Sequence, residues 1–285
     1  MSRSYLFVPG DRQEMLAKAN SRGADAVIAD LEDSVPRANK EQARGMVAAW
    51  LGDTGDLECG ERWVRFNSGA PFLADIEALK GRSIDGGVLS KVSTPEEVAE
   101  AIQILTEAGL CSAVTPLIET ARGLLACAEI AEVPGVHRLM IGEADLGAEL
   151  GLVARDPAWD GIRVQIVVAS AAARIHPPIG PVDPDFADLA TFAADTRRLR
   201  SLGFSGRAAI HPAQIAATHS AMVPSAEELA RATDLLSAYE TTQGSAVGAF
   251  VGPDGTMVDE AYVRWARRIV ADAERGRAHS DGRSE

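Results

Sequence analysis

The sequence predicts an α/β fold in which eight parallel strands close into a (β/α)8 TIM barrel, followed by a C-terminal helical extension. Short apolar runs alternate with longer segments whose apolar residues recur at helical spacing, and this alternation runs through most of the 285 residues. Strands separated by helices pair in parallel, and eight such units close most economically into a barrel. An open doubly wound sheet is the alternative.

The predicted strands are short and rich in apolar residues. Four of the segments between them carry apolar residues at helical spacing, and Pro95 with two following acids is typical of a helix start. In chain order, the predicted strands cover residues 5–8, 26–30, 63–67, 87–91, 112–118, 138–141, 174–179 and 207–210, and the predicted helices between them cover 13–21, 95–108, 121–131 and 186–202.

The chain continues for about 70 residues after the eighth strand. Helical patterns cover residues 226–239 and 261–274, on either side of a glycine-rich stretch. We therefore expect a barrel domain over residues 1–220, a helical extension over 221–275 that contacts a neighbouring subunit, and a disordered tail over 276–285.

Composition excludes several classes of partner. The formal net charge of −13 argues against nucleic acid and anionic membranes, because phosphate groups attract cations. Cys59, Cys111 and Cys127 are an odd number without a C-x-x-C pair, so neither a disulfide framework nor a zinc site is indicated. The first apolar run is too short for a signal peptide, and no run approaches membrane-spanning length. We expect a cytoplasmic protein.

Polar residues follow most of the predicted strands directly. Active sites of barrel enzymes form where the carboxyl ends of the strands meet, so these residues are expected to converge there. The simpler explanation, that loops are polar anyway, fits any one of them but fits less well the acids placed directly after apolar strands. The residues are Asp30, Glu32, Asp33, Arg65, Asn67, Lys91, Glu119, Asp145 and His211.

Glu119 and Asp145 follow adjacent predicted strands and should face each other across a short gap. Paired carboxylates suit a hard divalent cation that takes oxygen ligands. No His or Cys accompanies them, which favours Mg²⁺ or Mn²⁺ over zinc. The structural alternative is that one of the two acids pairs with a barrel arginine such as Arg65.

Several segments together resemble a known family. The sequence resembles the citrate lyase beta-subunit-like proteins, which include malyl-CoA and citramalyl-CoA lyases within a wider group of metal-dependent aldolases. The resemblance covers about residues 6 to 270, with motif order and spacing preserved. The segments are LFVPGDR, GADAVIADLEDSVP, NKEQAR, WVRFN, the strand-end SK, PLIET, IGEADLGAELG, RAAIHPAQI and DGTMVDEAY.

The resemblance implies a role for individual residues. Glu119 and Asp145 match the magnesium ligands, and Arg65 matches the arginine that binds the substrate's carboxylate or acyl oxygen. Asp259 matches an acid/base aspartate that usually reaches into a neighbouring subunit's site, although capping of the following helix is its simpler role.

Further positions are implied to surround the substrate. Phe7 and Lys18 match residues that line the site and approach the coenzyme, and Ile210 and His211 border the same pocket. As supporting groups, Asp30, Glu32 and Asp33 are expected to orient Arg65 and metal-bound water; the alternative is that they form ion pairs that hold the loop.

The function implied is Mg²⁺-dependent C–C bond cleavage, or the reverse condensation, of a 3-hydroxyacyl-CoA thioester such as malyl-, citramalyl- or citryl-CoA, with a small 2-oxo acid as the other partner. A homotrimer or higher homo-oligomer is expected. The alternatives are a citrate lyase beta subunit acting on an acyl-carrier-protein thioester, a 2-oxo acid aldolase and a non-catalytic homologue. Ser90 and Ala144 depart from the family pattern, so the substrate need not be that of the named lyases.

Overall fold

The computed structural model describes residues 2–53, 60–242, 250–251, 255 and 257–281. The chain divides into two compact units, Ser2–Thr218 and His219–Glu285. None of the helices in the described ranges is both long enough and apolar enough to span a membrane.

The first unit is a closed barrel of eight parallel strands in sequential order, which confirms the predicted fold. Each strand pairs with the next, and β1 closes the ring against β8. The strands are β1 (Ser4–Pro9), β2 (Ala26–Asp30), β3 (Glu61–Phe66), β4 (Gly86–Leu89), β5 (Val114–Ile118), β6 (Met140–Ile141), β7 (Ile179–Gly180) and β8 (Gly206–Ala209).

Helices surround the barrel and connect its strands. They are α1 (Gln13–Ala19), α2 (Lys40–Gly52), α3 (Ala70–Leu79), α4 (Pro95–Glu107), α5 (Ala121–Leu125), α6 (Cys127–Ala131), α7 (Glu143–Leu150), α8 (Trp159–Ala172), α9 (Leu189–Leu202) and α10 (Ala213–Met222). The predicted start of α4 is confirmed, because the Thr94 and Glu97 side chains each accept a hydrogen bond from the other's backbone N–H and so form a capping box.

The strands β6 and β7 are shorter than the sequence predicts. The predicted strand over 138–141 reduces to Met140–Ile141. The predicted strand over 174–179 reduces to Ile179–Gly180, because Arg174 has a left-handed backbone (φ 58°) and Pro177 and Pro178 have no N–H to donate to a ladder. The predicted helix over 121–131 is also interrupted, at Ala126, into α5 and α6.

The barrel has an inner and an outer apolar layer. Alternate strand residues point inward, where Tyr5, Trp63 and Met140 are buried with smaller side chains from the other strands. Gly86 makes room for this layer, because a Cβ there would lie only 2.2 Å from the Trp63 ring. The residues between them face the surrounding helices and form the larger core.

The second unit contains the end of α10, a helical pair and a short hairpin. Helix α11 (Ala226–Thr242) packs on α12 (Glu260–Asp281), and β9 (Phe250–Val251) pairs antiparallel with β10 (Met257–Val258). Leu235, Val258, Val263 and Ile269 bury a small core of their own.

Helix α12 ends later than predicted and takes in part of the expected disordered tail. The helical pattern indicated an end near Glu274, whereas the helix continues to Asp281. Residues 275–281 bear few apolar side chains, so hydrophobic periodicity gives no signal there. Residues 282–285 of the predicted tail lie outside the described residues.

Candidate active site

Acidic and basic side chains converge at the carboxyl end of the barrel strands, which we call the barrel mouth. They extend from the ends of β2, β3, β4 and β5 and from the first turn of α7, which follows β6. This is where a barrel fold gathers residues from different strands, and the group divides into an arginine cluster and a carboxylate pair.

Arg65, near the end of β3, is fixed by two acids. Its Nε and Nη2 donate to the two carboxylate oxygens of Asp30 at 2.7 and 2.6 Å, and its Nη1 lies 3.2 Å from Glu32. The Phe7 ring packs beneath the guanidinium, 5.1 Å from its Cζ. Burial alone would raise the pKa of Asp30, but the hydrogen bonds and charge of Arg65 hold it below its ordinary value.

Lys91 joins this cluster to the neighbouring carboxylate. Its Nζ donates to Glu32 at 2.6 Å and to Asp33 at 3.0 Å, while its backbone N–H donates to Glu119 Oε1 at 2.7 Å. The Lys91 backbone is left-handed, with φ 55°, a conformation that strains a residue with a side chain. The strained residue is the one that contacts both sets of acids: its side chain binds Glu32 and Asp33, and its backbone N–H binds Glu119.

Glu119 is buried without a cationic partner. It is 4% exposed, and among the described residues no Lys, Arg or His forms an ion pair with it or with Asp145. The pKa of Glu119 is raised to about 8, chiefly by burial; the Lys91 N–H and the Arg65 charge oppose this shift, and the Asp145 and Glu32 charges add to it. The alternative that Arg65 neutralises one of this pair is not observed.

Asp145 lies in the first turn of α7 and is partly exposed. Gly142, just before this helix, allows β6 to approach β5, because a Cβ there would lie 2.6 Å from Glu119 Cβ and 2.9 Å from its Oε2. The described residues contain no group of three His, Cys, Asp or Glu side chains arranged for a metal. A cation here would therefore take two protein carboxylates and complete its coordination with water or substrate oxygens, which suits Mg²⁺.

The remaining predicted residues are distributed around the barrel. Ile210 and His211 follow β8, and both their backbone N–H groups donate to Gln214 Oε1. His211 stacks on Phe186, with ring centroids 4.7 Å apart, and its Nδ1 accepts from the Ala213 N–H. Lys18 lies exposed on the last turn of α1, and no contact among the described residues joins it to the carboxylates.

Asp259 belongs to the second unit and precedes α12. Its Oδ1 accepts hydrogen bonds from the backbone N–H groups of Ala261 and Tyr262 at 2.9 and 3.1 Å. The helix-capping role is therefore present in the structure.

Two basic residues of the segment NKEQAR, Lys40 and Arg44, bind partners within the protein. The Lys40 Nζ donates to three oxygens, including Asn67 Oδ1 at 2.7 Å, and Arg44 forms an ion pair with buried Asp75 at 2.7 Å. Helical spacing gives no signal for such internal partners from other elements.

Lys91 is the residue near the site whose contacts could not be predicted from the sequence. Its place at a strand end was noted, but nothing in the sequence signals that its backbone N–H binds Glu119. Glu143, two residues before Asp145, forms an ion pair with Arg163 of α8 at 2.6 Å.

The sequence and the fold are similar to those of known proteins. A family model described as HpcH/HpaI aldolase/citrate lyase matches residues 3–212. A (3S)-malyl-CoA thioesterase from Cereibacter sphaeroides is 32% identical over 95% of this chain and 94% of its own. An L-malyl-CoA/beta-methylmalyl-CoA lyase from the same species is 30% identical over 96% and 95%. The crystal structure of CitE from Mycobacterium tuberculosis in complex with magnesium, acetoacetate and coenzyme A superposes with a TM-score of 0.81 at 32% identity, covering 96% of this chain and 98% of that one.

Proposed function

The chain belongs to the HpcH/HpaI aldolase/citrate lyase family, and from this we infer that it is a Mg²⁺-dependent carbon–carbon lyase acting on a CoA thioester. The substrate proposed is a 3-hydroxyacyl-CoA such as malyl-, citramalyl- or citryl-CoA, cleaved to a 2-oxo acid and an acyl-CoA or formed by the reverse condensation. The observation that carries the proposal is a buried, unpaired Glu119 beside Asp145 and a fixed arginine.

Glu119 and Asp145 would hold the cation, with Mn²⁺ as the alternative ion. A Mg²⁺ ion bound there would act as a Lewis acid on the oxygens of the oxo acid and as a template for it. The two carboxylates supply hard oxygen donors, and the unfavourable burial of Glu119 would be relieved by a positive charge.

Arg65 would bind the oxygen on which negative charge develops. Asp30 and Glu32 contact all three of its nitrogens, so the orientation of the guanidinium is fixed before substrate arrives. No acceptor among the described residues engages its remaining N–H groups, which could bind a carboxylate or thioester oxygen. Such a preorganised donor contributes about 3 kcal/mol to catalysis in comparable sites.

Asp259 would transfer the proton. In cleavage, the 3-hydroxyl loses its proton, the C–C bond breaks, and the electron pair forms a thioester enolate, whose carbon must be protonated. Asp259 is proposed as the acid, acting in the site of a neighbouring subunit within a homotrimer or higher oligomer. Phe7, Lys18, Ile210 and His211 are proposed to line the path of the coenzyme.

Metal dependence tests this proposal. Purified protein is incubated with each of the three thioesters and Mg²⁺, and release of the 2-oxo acid is followed with and without EDTA. We expect EDTA to abolish release, and Glu119→Gln to lower it by about a thousandfold, since a metal ligand and the site's main charge are both lost. Release that is unaffected by both changes would contradict the metal assignment.

Hydrolysis of the thioester is the second candidate function. It is favoured by the (3S)-malyl-CoA thioesterases among the similar proteins, which share 31–32% of their residues with this chain. A cation and an arginine at the thioester carbonyl would assist attack by water as well as cleavage of the C–C bond. An acyl-carrier-protein thioester, or a free 2-oxo acid aldol, are further substrates to which the same site geometry applies.

A further inference from the structure

The opposite end of the barrel carries a second cluster of ionisable groups, outside the site described above. We call this end, where the strands begin, the barrel floor. His137 and Arg138 precede β6, His176 precedes β7, and Glu61 begins β3. No residue proposed for thioester cleavage belongs to this cluster.

Arg138 is buried without a counter-ion. It is 1% exposed, its Nη1 donates to Tyr5 OH at 2.8 Å, and its Nε is buried with no hydrogen-bond acceptor. Within the described ranges, no carboxylate forms an ion pair with this guanidinium. A buried charge is normally paired, and a buried N–H without an acceptor costs free energy. Binding of an anion to Arg138 would satisfy both requirements.

The nearby acids are already engaged. Glu61 accepts from Ser2 Oγ at 2.6 Å and from Trp63 Nε1 at 2.8 Å, one donor on each carboxylate oxygen. Asp25 is bonded to the backbone N–H and the Nε of Arg3. Within the described ranges neither carboxylate forms an ion pair with Arg138, so an anion from solution would supply the missing counter-ion.

Two imidazoles complete the cluster. The rings of His137 and His176 lie 4.4 Å apart, His176 is exposed, and His137 is partly exposed. Their backbones are joined by a hydrogen bond from the His176 N–H to the His137 carbonyl at 3.1 Å. His137 adjoins Arg138 in the chain, so the pair offers ring N–H donors near the buried arginine.

We propose that the barrel floor binds a small tetrahedral oxyanion between Arg138 and the His137–His176 pair. Arg138 supplies the fixed charge and its unused N–H groups, and the histidines supply donors that gain a proton when the anion binds. The electrostatics of the cluster agree with this assignment. Burial, followed by the Arg138 charge, lowers the pKa of His137 to about 4 and lowers the pKa of His176 as well, while the Glu61 charge opposes the shift in both rings.

Side-chain NMR of the histidines during titration with inorganic phosphate tests the proposal on the full chain. At constant ionic strength we expect saturable shifts of the His137 and His176 ring protons, with the pKa of both rings moving upward. The His211 ring, at the barrel mouth, reports separately on any phosphate that binds in the catalytic region. Chloride at the same ionic strength is the control for general screening.

Variants at two positions locate the binding. Arg138→Met should weaken phosphate binding at least about tenfold, the effect of losing a charge-assisted hydrogen bond, while Arg138→Lys retains part of the affinity. His176→Gln, at an exposed position, should weaken it a few-fold with the fold intact, and this variant decides if Arg138→Met does not fold. A parallel titration with glycerol phosphate shows whether the source is a free ion or a phosphate ester.

Absence of saturable shifts in the His137 and His176 rings would overturn the proposal. So would a phosphate affinity unchanged in His176→Gln and in whichever Arg138 variants fold. Neither result bears on thioester cleavage, because Arg138, His137 and His176 lie at the barrel floor and none of them is proposed to act in that reaction.

Discussion

At the scale of single residues, Glu119 combines burial with a single backbone hydrogen bond. Its 4% exposure and the N–H of Lys91 hold the carboxylate in place, but neither neutralises it. The position in PLIET, directly after an apolar strand, could be predicted from the sequence. The absence of an ion pair could not, because it depends on Arg65 being taken up by Asp30 and Glu32.

Gly142→Ala tests the close approach of β6 to Glu119. The added methyl would lie 2.6 Å from Glu119 Cβ and 2.9 Å from its Oε2, so the carboxylate must move. We expect Mg²⁺ to bind at least about tenfold more weakly, the equivalent of 1–3 kcal/mol of local strain, as measured by calorimetric titration. The matched control is Gly161→Ala in α8, where a Cβ meets nothing within 4 Å. Equal Mg²⁺ affinity in both variants would contradict this account.

Substitutions of Lys91 distinguish the cost of its backbone strain from the contribution of its ion pairs. Lys91→Gly removes both the left-handed strain, about 1 kcal/mol, and half-exposed ion pairs of similar or smaller value, so we expect the free energy of unfolding to change little. Lys91→Met removes the ion pairs and keeps the strain, and we expect it to be less stable than Lys91→Gly by about 1 kcal/mol in urea denaturation. Both variants should lose turnover, because Glu32 and Asp33 are no longer held. A Lys91→Met protein as stable as Lys91→Gly would contradict the strain.

His137 predicts a pH dependence of stability. Its pKa is lowered to about 4 in the fold, chiefly by burial, against an ordinary value of 6.5. A lowered pKa means that the unfolded chain binds more protons between these values, so stability is lost as the pH falls from about 6.5 towards 4. We expect a loss of the order of 1 kcal/mol, reduced by the partial exposure of the ring. His137→Gln should flatten this part of the curve in urea denaturation without added oxyanion, and an unchanged slope would contradict the effect.

At the scale of elements, strand ends were more predictable than strand lengths. Apolar runs located all eight strands, and acids after VTPLI and RLMIG identified the mouth. The lengths of the two-residue strands β6 and β7 were overestimated. For β7 the reason is that an apolar pattern does not reveal the left-handed backbone of Arg174 or the missing N–H groups of Pro177 and Pro178. Lys40 and Arg44 show a related limit of sequence patterns, since their partners Asn67 and Asp75 come from other elements.

Asp75 connects three elements and illustrates such partners. This buried residue of α3 accepts Arg44 Nε from α2 at 2.7 Å and both the backbone and the side-chain N–H of Asn67, after β3, at 2.9 and 2.8 Å. Asp75→Asn breaks the buried ion pair and opposes donor to donor, so we expect a loss of about 3 kcal/mol in unfolding free energy. The control Glu77→Gln changes an exposed acid of the same helix and should cost under about 0.5 kcal/mol. Similar losses in the two variants would refute the linking role.

At the scale of the whole molecule, barrel closure could be predicted from the number of strand–helix units, whereas the proposed reaction could be inferred only from the ordered family motifs. Strand–helix alternation is sufficient for the fold because each unit buries one apolar face against the next. Placement at strand ends then gave a site with oxygen ligands. Neither feature specifies a thioester, since the distinction between C–C and C–S cleavage depends on where a water or proton donor stands.

Asp259 makes assembly part of the proposed mechanism. Asn caps helices as well as Asp does, so Asp259→Asn should keep the cap and remove the acid, and we expect turnover to fall at least about a hundredfold at unchanged stability. Asp259→Ala, which also loses the cap, should in addition be about 1 kcal/mol less stable. Co-expression of Asp259→Asn with Glu119→Gln should restore turnover if the aspartate acts in a neighbouring subunit. Full turnover by Asp259→Asn alone would leave Asp259 a helix cap only.

The bond that is broken tests the central claim most directly. The protein is incubated with Mg²⁺ and malyl-, citramalyl- or citryl-CoA, and all products are identified by mass spectrometry. We predict a 2-oxo acid together with a shortened acyl-CoA, for example glyoxylate and acetyl-CoA from malyl-CoA, formed at equal rates and lost in Glu119→Gln. Free CoA with an intact hydroxy acid, or no cleavage of any of the three, would contradict the assignment as a carbon–carbon lyase.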